Sequence, residues 1–114
     1  MVVDQLSPAE VDRVFQALAD ATRRDILTRT LRGEQSVSAL AAEYAMSFAA
    51  VQKHVAVLER AALVTKERRG REQLVRGHLP TVRRAAEVLA AYERIWRGRA
   101  ARIAGLLNET GEAP

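Results

Sequence analysis

Gln52 and Lys53 stand side by side in a segment that opens Ser47-Phe48-Ala49 and runs through His54. A carboxamide can pair with N6 and N7 of adenine, an ammonium with O6 and N7 of guanine, and a phenyl ring can touch a thymine methyl. Phe48 suits that contact and equally suits a hydrophobic plug between helices. Ala49 is small enough to let a base edge approach, while Ser47 and His54 are suited to the sugar–phosphate backbone. A second group, Arg68, Arg69 and Arg71, brackets Gly70. Guanidinium forks bind phosphate oxygens in pairs, so this cluster points to nucleic acid as well. Catalysis has much thinner support. Lys53 and His54 resemble an acid–base pair, but neighbours on a helix project about 100° apart. The chain has no cysteine, which excludes disulfides, thiolate metal sites and cysteine nucleophiles. No Ser/His/Asp set and no phosphate-cradling glycine loop occurs, so no enzyme is expected. Neither a metal nor a cofactor is expected, since the two histidines, His54 and His78, form no cluster.

These side chains need elements to aim them. Val37 to Leu63 reads as two short helices joined by a tight turn. Ser38 is expected to cap the first, with Leu40, Ala41 and Tyr44 on one face. Ser47 caps the second, which turns Val51, Val55 and Leu58 inward and leaves Phe48, Ala49, Gln52, Lys53 and Ala56 outward. Leu63 to His78 reads as a β-hairpin turning at Gly70, in which Val64, Lys66 and Arg68 alternate with Thr65, Glu67 and Arg69. A basic hairpin directly behind a helix-turn-helix is a wing, able to lie along phosphates or enter a minor groove. The expected fold is mostly α with a small β-hairpin. It is one winged helix-turn-helix domain over residues 1–114, with the helix-turn-helix near 38–61, the wing near 63–78 and a long C-terminal dimerisation helix near 81–108.

Ahead of this motif, Ser7-Pro8-Ala9-Glu10 forms a capping box with proline at the first helical position. The helix it opens turns Val11, Val14, Phe15 and Leu18 inward and stops near Ala19. Asp20 caps the next helix, with Ile26, Leu27 and Leu31 inside and Gly33 as the stop, and Glu34 to Ser36 form a loop. Arg23 and Arg24 in its first turn suit either solvent or a phosphate. Pro80 starts the last helix. There Leu89, Trp96 and Ile103 follow Val82 every seven residues, with Ala85, Tyr92 and Leu106 in a second row that Arg99 interrupts. So long a two-row seam suits pairing between chains, a homodimer, although it could also close its own core. Thr110 to Pro114 is expected to fray.

Charge placement supports the same partner. The chain carries a net +4, with residues 58–114 at +5 and residues 1–57 at −1. Residues 60–76 alone contribute +4, and arginine predominates over lysine among the basic residues. No membrane-length apolar stretch and no leader-like opening occur, so a cytoplasmic protein with no membrane partner is expected.

Three runs carry a family resemblance: LADATRRDIL (18–27), SVSALAAEYAMSFAAVQKHVAVLERAALV (36–64) and the wing. Together they are similar to the ArsR/SmtB family of bacterial winged-helix repressors, over about Val14 to Asn108. The resemblance implies a homodimer that pairs through its first and last helices. Val11, Val14 and Phe15 would then join Leu89, Tyr92, Trp96, Ile103 and Leu106 in the seam. It also implies double-stranded operator DNA as the partner, with an inverted repeat matching the twofold axis. His54 falls on a family position in the recognition helix, as a DNA-side or packing residue. Family metal sites use cysteines in the first helix of the motif, or Asp, His and Glu on the last helix. Here the stretch 40–44 offers only Glu43, and the last helix only Glu87, Glu93 and Glu109. The expected protein is therefore a regulator without metal sensing. Two alternatives stay open: a sensor holding a small ligand in the dimer interface, and a winged-helix protein-docking module.

Overall fold

The computed structural model describes residues 5–111, with side chains as far as residue 108. Eight elements follow in order: α1 (Pro8–Leu18), α2 (Ala21–Arg32), β1 (Gln35–Ser36), α3 (Val37–Ala41), α4 (Phe48–Arg60), β2 (Val64–Arg69), β3 (Glu72–Gly77) and α5 (Leu79–Gly111). Local chemistry sets most of these boundaries. The Ser7 hydroxyl accepts from the Glu10 amide at 3.2 Å, and the Glu10 carboxylate accepts from the Ser7 amide at 2.7 Å. Those hydrogen bonds from Ser7 hold the Glu10 carboxyl below its ordinary pKa. Asp20 caps α2 through the Arg23 amide, and Ser47 caps α4 through the Ala50 amide.

Two residues past the end of α4, Ala62 has a φ of 59°, in the left-handed region. The Leu63 amide reaches back to the Leu58 carbonyl at 3.0 Å and the Ala62 amide to Glu59 at 2.9 Å. This is the paired closure that glycine usually provides.

The three strands form an antiparallel sheet in the order β1-β3-β2. Gly70, at φ 65°, turns the hairpin. At its open end the His78 amide bonds the Leu63 carbonyl at 2.8 Å. Gly77 lies so close to α2 that an added Cβ would sit 2.9 Å from the Leu31 backbone nitrogen. One core joins these layers, with Val14, Ile26, Leu40, Val51, Leu58 and Val75 fully buried.

Several expectations need correction. Helix α3 starts one residue early because Ser36, not Ser38, is its cap, accepting from the Ala39 amide at 3.0 Å. Gln35 and Ser36 are not loop but pair with Val75 and Leu74 of β3, adding a third strand. Tyr44 lies beyond the end of α3, so it does not share a helical face with Leu40. Leu31 is exposed, lying over Gly77 rather than in the core. In α1 the buried residues are Val14 and Ala17, while Val11, Phe15 and Leu18 are half-buried. Val14 is wholly buried in its own chain and has no surface left for a seam. Helix α5 begins at Leu79 and continues through Thr110 to Gly111, and the rest of the expected frayed tail lies outside the described residues.

Helix α5 has two parts. Thr81 and Ala85 are buried against the body and Val82 is half-buried there. From Leu89 onward its large apolar residues are exposed, including Trp96 at 63%. With 33 residues the helix is about 50 Å long, at 1.5 Å per residue.

Candidate nucleic-acid interface

The rotation of α4 decides which of its side chains are available. Val51, Val55 and Leu58 are buried, which turns Phe48, Ala49, Gln52 and Lys53 to solvent. Ser47 is exposed at the helix start, where its hydroxyl is engaged as the cap. Ala56 and His54 flank this face and are half-buried.

The strand register aims the wing. Lys66 and Arg68 pair with Val75 and Gln73, so they share the face of the hairpin that carries buried Val75. Lys66 Nζ lies 3.6 Å from Glu59 Oε1 on α4, which ties wing and helix together. Between them opens a cleft of about 230 Å³. Phe48 and Gln52 form its helix side, Arg68, Arg71, Glu72 and Gln73 its wing side, and Val37 and Ser38 its end. Phe48 is about half exposed there, so it plugs no gap between helices. Arg69 does not line this cleft. Its guanidinium lies 3.4 Å from both Glu34 Oε1 and Glu67 Oε2, while Arg76 lies 2.6 Å from Glu34. Sequence reasoning grouped the wing arginines together, but strand alternation separates them.

Ser38, Gln73 and Glu72 were not expected in the cleft. Gln73 was accessible in principle, because it sits opposite Arg68 in the ladder. Glu72 brings a carboxylate beside two arginines and lowers the positive charge of the cleft. Arg23 was left between solvent and phosphate, and it does something else. Its Nε donates to the Ala17 carbonyl at 2.8 Å and its Nη2 to the Gln16 carbonyl at 2.9 Å, filling acceptors at the end of α1. Its Nη1 donates to His54 Nδ1 at 3.3 Å. An accepting Nδ1 leaves the imidazole proton on Nε2. His54 thus braces α4 against α1 and α2.

A second brace holds the turn of the motif. The Tyr44 hydroxyl donates to Asp25 Oδ2 at 2.6 Å, and Arg29 Nε donates to the same oxygen at 2.8 Å. Arg29 also lies over the Tyr44 ring at 5.8 Å from its centre. Burial and the Asp25 contact push the Tyr44 hydroxyl up to about 12. The Tyr44 and Arg29 hydrogen bonds hold the Asp25 carboxyl below its ordinary pKa. The body behind α4 is therefore fixed by polar contacts as well as by its apolar core.

The exposed face of α5 carries Leu89, Tyr92, Trp96, Ile103 and Leu106, and also Ile95 and Leu107 beside them. Ile95 and Leu107 escaped notice because they lie one position off the two seven-residue rows. No described helix is long and apolar enough to cross a membrane. Among the described residues no three His, Cys, Asp or Glu side chains come together as a metal-ion group.

Residues 18–67 match a family model described as a helix-turn-helix domain. A crystal structure of an ArsR family transcriptional regulator superposes with a TM-score of 0.77 at 30% identity, covering 82% of this chain and 96% of that one. An ArsR-like transcriptional regulator from Rhodococcus sp. RHA1 gives 0.75 at 36% identity, covering 86% and 92%. The homodimeric winged helix-turn-helix DNA-binding domain of a Mycobacterium bovis protein, a possible ArsR-family regulator, gives 0.62 at 29%, covering 75% and 80%. The HTH-type transcriptional regulator Rv2034 of Mycobacterium tuberculosis is 47% identical over 53 residues, 46% of this chain. That match spans 50% of the relative's own length. Matched along nearly the full length of two ArsR structures at 30% identity or more, this chain belongs to the ArsR family of transcriptional regulators.

Proposed function

We propose that the chain is a homodimeric, sequence-specific DNA-binding repressor that works in the cytoplasm without sensing a metal. The observation that carries this reading is the cleft between α4 and the wing. The same small and polar helix face that leaves Phe48, Ala49, Gln52 and Lys53 free stands across it from Arg68 and Arg71. A duplex that takes α4 into its major groove meets base-reading groups on the helix and phosphate-binding groups on the wing. A protein-docking module has no use for that pairing of chemistries. The exposed apolar stripe of α5 supports the homodimer, and two recognition helices related by a twofold axis call for an inverted repeat. Its half-sites should be about 10 bp apart, or a small multiple of that.

Salt dependence of operator affinity tests the reading. Each phosphate that is neutralised contributes about 0.9 to the log–log slope, and a dimer carries every arginine twice. Arg68→Ala with Arg71→Ala should flatten the slope by up to about 3.6, whereas Arg69→Ala, already held by Glu34 and Glu67, should change it less. An unchanged slope in the double variant would remove the wing from the interface. Salt-insensitive binding by the parent protein would favour the docking module.

Metal indifference has its own support in the ligand inventory. Thiophilic ions need thiolates, and zinc needs several ligands converging at about 2.0–2.3 Å. EDTA-treated protein on labelled operator should respond to neither zinc, cadmium, nickel nor arsenite. Release at micromolar metal, lost in His78→Ala, would restore a metal-sensing role. A second reading, in which a small ligand at α5 controls DNA affinity, is favoured by a groove of about 580 Å³ along that helix.

A further inference from the structure

The groove lies between the residues that lead into α1 and the first four turns of α5. Leu6, Val88 and Ala91 supply apolar surface, while Arg83, Arg84 and Arg94 stand around it. A volume of about 580 Å³ falls inside the range of roughly 300–1,000 Å³ typical of small-molecule sites. The charges around it do not balance. Among the described residues Glu87 is the one acidic residue lining the groove, and it lies 3.8 Å from Arg94. Glu10, whose carboxylate is bonded to the Ser7 amide, is near enough to Arg84 to feel its charge. Arg83 has no ion pair among the described contacts, and the described residues of the rim keep an excess of positive charge over an apolar floor.

The groove runs beside the apolar stripe of the helix. At about 100° per residue, Arg84, Glu87 and Ala91 lie roughly 140° around from Leu89, Tyr92 and Trp96, and Val88 falls between the two sets, in line with Leu106. A molecule held there lies beside the apolar stripe and meets its edge at Val88. It would brace the entry to α1, which packs on α2 and α4, against the helix that bears the stripe.

We propose that this groove binds an anionic amphiphile, an organic carboxylate with a hydrocarbon body, and that it is the effector site of the regulator. The carboxylate meets the Arg83 guanidinium, which no described ion pair engages, and the hydrocarbon lies on Leu6, Val88 and Ala91. The effector role rests on the DNA-binding reading above, but binding itself does not, so the two are measured separately.

The full chain is titrated calorimetrically, without DNA, with decanoate and with 4-phenylbutyrate. Decanol serves as the uncharged control. At least one carboxylate should bind saturably at one molecule per subunit, and decanol at least about tenfold more weakly, as loss of a charge-assisted contact requires. Arg83→Gln and Arg83→Ala, at an exposed position, should each weaken the carboxylate about tenfold or more and leave decanol unchanged. Ala91→Phe, which fills the floor, should abolish binding while circular dichroism and melting temperature stay close to those of the parent. Saturable binding of neither carboxylate overturns the proposal, as does equal affinity for decanol or indifference to the arginine substitutions. Binding seen only after residues 1–4 are deleted would assign the groove to the chain's own N-terminus, and also overturns it. Carboxylate binding that leaves operator affinity unaltered removes the effector role. If the parent binds no operator at all, the DNA-binding reading fails while the calorimetry still decides the site.

Discussion

Leu58 in α4 and Trp96 in α5 both belong to apolar stripes at helical spacing, but Leu58 is fully buried and Trp96 is 63% exposed. Around Leu58 the other stripes of the chain converge, so each buried side chain is covered by several elements. From Leu89 onward the apolar stripe of α5 faces water in the isolated chain. An apolar stripe therefore announces that burial is required, and it does not say by what. In the body the cover is intramolecular. On α5 a second copy of the chain is the cover we propose, and Val11 and Phe15 of α1 keep enough free surface to contribute to it.

The two regions should fail in different ways when truncated. Trp96→Ala is the largest expected effect, about 3–5 kcal/mol if the indole is buried on pairing. It should appear as a lower dimer affinity by analytical ultracentrifugation, with the monomer's fold retained and operator binding weakened alongside. A Trp96→Ala protein that stays dimeric at nanomolar concentration would place the seam elsewhere. Leu58→Ala should cost about 2–5 kcal/mol of folding stability, read in denaturant, at every protein concentration. Loss of stability that vanished on dilution would instead put Leu58 in an interface.

The Asp25–Tyr44–Arg29 brace sharpens the contrast at the next level, since the ion pair of Arg97 with Glu93 on α5 beyond Leu89 is exposed. Tyr44→Phe should cost about 1 kcal/mol near neutral pH. Its pH signature is more specific. Tyr44 is raised to about 12 in the folded chain, so its contribution is complete below the ordinary tyrosine value and is lost as pH climbs toward 12. Asp25 is lowered, so its contribution is complete above the ordinary carboxylate value and fades as pH falls through the folded value. In Tyr44→Phe the alkaline loss should disappear and the acid loss should shrink. Identical pH profiles for the two proteins would mean the hydroxyl contact is not made in solution.

The smallest expected effect is a gain. Ala62 holds a left-handed conformation that an L side chain resists, so Ala62→Gly should stabilise the body by about 0.5–1 kcal/mol. A loss would show that the methyl group contributes packing that outweighs the backbone strain.

Much of the architecture was legible because it rests on short-range chemistry. The Ser7 capping box, the Asp20 and Ser47 caps, the Val51–Val55–Leu58 stripe and the Gly70 turn each depend on residues within a few positions of one another. So the helix-turn-helix, the wing and the exposed face of α4 could be read from spacing alone. The start of α3 was missed because two serines, Ser36 and Ser38, are equally good caps by type. Pairing of Gln35 and Ser36 with β3, some forty residues away, favours the first.

What only the tertiary structure decided depends on groups distant in the chain meeting in space. Arg23 was a surface residue by type and became a brace because the end of α1 and His54 of α4 converge on it. The wing arginines read as one patch, and the register of β2 on β3 sent Arg68 toward the cleft while Glu34 and Glu67 hold Arg69. The groove along α5 was invisible for the same reason. Leu6 and Ala91 are far apart in sequence, and residue types along the chain carry no information about a wall contributed from the other end.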